Sequence, residues 1–95
     1  MAKKTNALDP ETTPNHPELT LREVQIAIGI AEGKTYPEIG DALGLGYETV
    51  RSYVNRLREK TCRRRKAELA IWASQERSWL EHQQTDLTAK GQTDV

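Results

Sequence analysis

The chain holds one cysteine, Cys62, so no disulfide can form within it. A lone thiol fits a reducing compartment. No apolar run approaches the roughly 20 residues that a membrane-spanning helix needs. The opening residues, Met1 to Thr5, lack the apolar stretch of a secretory signal. No spacing of Cys62, His16 and His82 suits a metal, so no metal ligands are expected. Nothing resembles a nucleophile with its base, so neither catalysis nor a cofactor is expected. No segment repeats. These absences leave a single small domain in 95 residues, with a modest core, soluble and cytoplasmic.

Net charge is missing too, because 14 basic residues balance 14 acidic ones. The distribution is uneven. Between Tyr47 and Lys66 stand eight basic residues (Arg51, Arg56, Arg58, Lys60, Arg63, Arg64, Arg65, Lys66) against two acidic ones, Glu48 and Glu59. That local surplus of six focuses a polyanion on one face of an otherwise acidic chain. A solvated helix face is the plainer reading, and it is weaker because the surplus coincides with one expected helix and the turn after it. The segment from Gly29 to Thr35 imitates a phosphate-binding loop. It has three residues between its glycines where that motif needs four, and it ends a helix rather than following a strand.

Residues 1–18 read as a disordered tail with Pro10, Pro14 and Pro17 and little to bury. Thr20 and Glu23 form a capping-box pattern, which starts a first helix near Leu21. Gly33 ends it as a left-handed cap. Thr35 and Glu38 repeat the pattern, with Pro37 tolerated in the first turn of a second helix that runs to about Leu43. A third helix is expected from about Tyr47 to Lys60, with Gly46 as N-cap. A fourth follows the arginine cluster, from about Arg65 to Leu80. Residues 81–95 are polar and read as a disordered tail.

The second and third helices make a helix-turn-helix. Gly40 supplies a small residue where the helices cross, and Gly44 tolerates the positive φ of the turn. Ile39, Leu43, Leu45, Val50 and Val54 line the inner faces at helical spacing. Arg51, Ser52 and Asn55 are left facing outward, and such side chains can read base edges in a DNA major groove.

From Leu19 to about Leu80 the chain resembles the DNA-binding domain of LuxR/FixJ/NarL-type (GerE-like) regulators. The opening pattern Leu-Thr-x-Arg-Glu is met by Leu19, Thr20, Arg22 and Glu23. Ala31 and Gly33 match the close of its first helix. Glu38, Ile39 and Leu43 match Glu-Ile-Ala-x-x-Leu, with Gly40 in place of alanine. Thr49, Val50 and Arg51 match Thr-Val followed by a basic residue. Departures fall at Arg58, Thr61 and Arg63, where the family usually has apolar residues. No room remains for a receiver or sensing domain, so the likeness is to stand-alone members.

The resemblance implies an all-α, four-helix domain over residues 19–80 that binds double-stranded DNA to regulate transcription. It puts the base-reading positions at Arg51, Ser52 and Asn55. Thr49, Arg56 and Lys60 are better placed for phosphates, as are Arg63 and Arg64 unless these are only solvated. Tyr47 and Glu48 open the third helix and face a base or a phosphate with equal weight. Glu23 stands where the family braces its fold. Beside arginines Cys62 is a reactive thiol or, the favoured reading, a buried or inert one.

The family also implies a homodimer on an inverted repeat, paired through the fourth helix. Trp72, with Leu69 one turn before it, is the expected contact. A core role for Trp72 is weighed almost equally. Leu21, Val24 and Ile28 form a second apolar stripe on the first helix. Either Trp79 and Leu80 fold back over it, the slightly favoured reading, or another protein covers it. The rival to DNA binding is therefore an interaction module that grips RNA polymerase or another regulator through the same fold.

Overall fold

The computed structural model describes residues 16–90, which are all helical or loop. Five helices follow in order: α1 Leu21–Ala31, α2 Tyr36–Leu43, α3 Tyr47–Thr61, α4 Lys66–Gln75 and α5 Arg77–Ala89. Among the described residues no helix is long and apolar enough to cross a membrane.

Side chains that satisfy the free backbone groups at helix ends set the first boundaries. Thr20 Oγ1 accepts from Glu23 N–H at 3.2 Å, and Glu23 Oε1 accepts from Thr20 N–H at 2.9 Å. Thr35 and Glu38 repeat this box at 3.3 and 2.8 Å. Gly33 and Gly44 follow α1 and α2 in the left-handed region, at φ 81° and 73°. At Gly40 the constraint is space. A Cβ there would lie 2.4 Å from the Leu45 carbonyl oxygen, so glycine allows the turn to close onto α2.

The core gathers Val24, Ile26, Ala27 and Ile30 of α1 with Ile39, Val50, Val54 and Leu57 of α2 and α3. Leu69, Trp72 and Ala73 of α4 complete it from one side, and Leu80 and Leu87 of α5 from another. Glu23, only 1% exposed, is the buried charge of this core. Its carboxylate accepts from Lys60 Nζ at 2.8 Å, which ties the start of α1 to the end of α3. The expected bracing role of Glu23 thus has a defined partner.

Three expectations change. The single fourth helix over 65–80 is two helices, broken at Glu76 with φ −102° and ψ 19°. No glycine or proline lies nearby, and the break lets α4 and α5 both pack side chains on the core. The bend sets Trp79 edge-on to Trp72, at 6.3 Å and 73°, and carries Leu80 into the core. Secondly, residues 81–89 are helix rather than polar tail, because Leu87 adds a second buried side chain one heptad after Leu80. Arg77 Nη2 fastens the start of α5 to Glu32 Oε2 at 2.8 Å. Thirdly, the folded part begins before Leu19. His16 stacks on Trp79 at 4.2 Å and pairs with Glu76, and Lys60 Nζ donates to the Glu18 carbonyl at 3.2 Å. Residues 1–15 and 91–95 of the expected tails lie outside the described residues.

The second stripe of α1 is covered by the chain itself. Val24 is fully buried, and Leu21 and Ile28 are partly buried against the core. Trp79 and Leu80 do fold back, as the slightly favoured reading has it, and Leu87 of α5 is buried with them.

Candidate nucleic-acid interface

Val50, Val54 and Leu57 face inward and fix the roll of α3 about its axis. One outward line then holds Glu48, Arg51, Ser52 and Asn55, all exposed. Arg51 Nη1 lies 3.6 Å from Glu48 Oε1, with the two side chains 59% and 80% exposed. Thr49 and Arg56 stand on a flank, also exposed, and the Arg56 guanidinium lies 4.9 Å from the centre of the Tyr53 ring. Lys60 shares that flank by sequence, but its ammonium is turned onto Glu23 and the Glu18 carbonyl. Its bonds are those of a brace.

At the end of α3, Cys62 takes a left-handed conformation with φ 58°. Its thiol is exposed, which removes the expectation of a buried one. Glu68 Oε1 accepts from the N–H groups of Arg64 and Arg65 at 3.2 and 3.3 Å, which fixes the following turn. An open cleft results, lined by Asn55, Arg58, Glu59, Cys62, Arg63 and Arg64. Arg58 Nε is buried beside it without a hydrogen-bond partner among the described residues. The departures from the family at Arg58 and Arg63 therefore feed one basic concavity, which meets the outward line of α3 at Asn55.

Sequence reasoning missed Tyr36 and gave Lys66 no individual role. The Tyr36 ring lies 6.0 Å from that of Tyr47 and 4.3 Å from Lys66 Nζ. The starts of α2, α3 and α4 meet there. Burial pushes the Tyr36 hydroxyl above its ordinary value, partly offset by Arg58 and Arg51, so the phenol stays protonated and can donate. No local pattern marks this meeting, because it depends on how α4 packs.

The residues expected to face a dimer mate or partner are turned into the fold. Leu69, Trp72 and Val24 are buried within the chain, and Leu21 and Ile28 are partly covered. Trp72 is a core tryptophan. The large apolar residue that α4 does expose is Ile71, at 59%.

A compact helical core that presents a cationic helix after a tight turn defines a helix-turn-helix protein. A family model described as bacterial regulatory proteins, luxR family, matches residues 17–73, more than half of the chain. The chain belongs to this family, whose helix-turn-helix domain binds double-stranded DNA in transcription regulation. No match is found among curated proteins or among solved structures. Helix α5 lies beyond the matched residues.

Proposed function

We propose that this protein reads a specific DNA sequence by setting α3 in the major groove. Arg51, Ser52 and Asn55 face base edges. Arginine suits the two acceptors of guanine, and asparagine suits the acceptor and donor of adenine. Thr49, Arg56, Arg63 and Arg64 hold phosphates, which fix register without reading sequence. Tyr36 and Lys66 join them from the starts of α2 and α4. Lys60 leaves the phosphate set, because its ammonium is engaged with Glu23. The observation that carries the reading is the exposed line of Glu48, Arg51, Ser52 and Asn55 on the outward face of the basic helix.

The protein acts as a symmetric dimer on an inverted repeat, with half-site centres about 10 base pairs apart. The α4 face around Ile71 supplies the contact in place of Trp72 and Leu69. The rival reading, a module that grips RNA polymerase, drew on an apolar stripe of which Val24 is buried and Leu21 and Ile28 are partly covered, so less favours it. Selection of bound duplexes from a random pool tests the proposal. Enrichment of two inverted half-sites supports it, and recovery of no common sequence contradicts it.

A further inference from the structure

We propose that Glu48 determines specificity in this interface: its carboxylate reads a cytosine one base step from the guanine read by Arg51. The inference rests on α3 entering the major groove. Glu48 lies in the first turn of α3, the end that a helix-turn-helix directs at base edges. It is one of two carboxylates in the basic stretch, and Glu59 lies at the other end of the helix. A carboxylate so placed opposes the attraction of the basic face for phosphate on every sequence. It gains only where it accepts a hydrogen bond from a base. Guanine and thymine offer acceptors at this edge, and adenine sets an acceptor beside its donor. The N4 amino group of cytosine is the suited donor.

Spacing selects the neighbouring base pair. Three residues of helix rise about 4.5 Å, and one base step rises about 3.4 Å. Side chains one turn apart on the groove-facing line therefore meet adjacent base pairs. The ion pair at 3.6 Å spans the same interval. A guanidinium has five N–H donors. Arg51 can give one to Glu48 and keep two for guanine O6 and N7. Glu48 and Arg51 thus read a two-base-pair step as a unit.

The test compares the full chain with Glu48→Ala, Glu48→Gln and Arg51→Ala. Each is titrated at fixed salt against the selected wild-type site and all its single-base variants. Both side chains are exposed, and circular dichroism confirms that the variants stay folded. Glu48→Ala is expected to bind nonspecific duplex several-fold more tightly. It loses about tenfold discrimination at one base pair, adjacent to the one that Arg51→Ala relaxes. Glu48→Gln moves the preference there from cytosine to adenine. A common factor on all sequences, with the profile unchanged, overturns the assignment. So does a loss confined to the guanine read by Arg51. If the wild-type chain enriches no duplex at all, the major-groove reading itself fails.

Discussion

In the proposed reading, Lys60 and Arg51 divide the cations of one helix between fold and interface. Lys60 meets a carboxylate that is 1% exposed, so its removal leaves Glu23 with the Thr20 N–H among the bonds described. Leaving a buried acceptor short of a partner costs about 1–3 kcal/mol. Lys60→Ala should lose stability on that scale in urea titrations, with sequence preference unchanged. Unaltered stability would mean that the pair is incidental. Arg51→Ala should keep full stability, cost about 1–3 kcal/mol on the best site and relax preference at one base pair. An equal loss on all sequences would make Arg51 a phosphate contact instead. The motif register makes Arg51, Ser52 and Asn55 legible as outward residues before any coordinates. The engagement of Lys60 with Glu23 is not legible, because the two stand 37 positions apart and helical periodicity does not report tertiary partners.

At the scale of elements, reciprocal capping boxes and left-handed glycines mark α1 and α2 closely, since those signals are local. The break at Glu76 has no such signal. Nor has α5, whose one deeply placed residue beyond Leu80 is Leu87, too little for a periodic pattern. Helix α5 is nonetheless a structural part of the domain. Burying an aliphatic side chain of this size contributes about 1.5–3 kcal/mol, and small domains keep roughly 5–15 kcal/mol in total. Leu80→Ala should therefore lower stability by about 2–5 kcal/mol, measured by thermal melting. A chain ended after Ser78 should melt far lower still. A melting temperature unchanged by that truncation would show that α5 covers nothing of consequence.

The clasp between α5 and α1 also titrates. Lys34, by hydrogen bond first, and Arg77 hold the Glu32 carboxyl below its ordinary value of 4.5, against the opposing effect of burial. A depressed carboxylate contributes stability above its unfolded value and loses it as pH falls through the folded value. Glu32→Gln should therefore flatten the acid end of the stability profile, below about pH 4.5, while leaving neutral behaviour nearly unchanged. An identical acid slope in both proteins would count against the pairing of Glu32 with Lys34 and Arg77.

For the whole molecule, a net charge of zero conceals a strong polarity. Apart from Lys60, which is turned onto Glu23, the basic stretch lies around the outward side of α3 and the turn after it. The remainder of the chain carries the balancing acid, part of it in ion pairs such as Arg77 with Glu32 and Glu81. Among the described residues Ile71 and Tyr47 are the exposed large apolar side chains, and the proposed dimer uses the face around Ile71. Ile71→Glu should yield a monomer that stays folded and binds a single half-site weakly. Sedimentation that still shows a dimer would move the interface elsewhere.

The most direct measurement is a titration of the full chain against its selected site and a scrambled duplex over a series of salt concentrations. Each phosphate neutralised by the basic face should add about 0.9 to the slope of log affinity against log salt. Several such contacts are expected on both duplexes, with the selected site bound more tightly throughout. Absence of binding to either duplex at low salt, or a salt slope near zero, would contradict a DNA-reading role for α3.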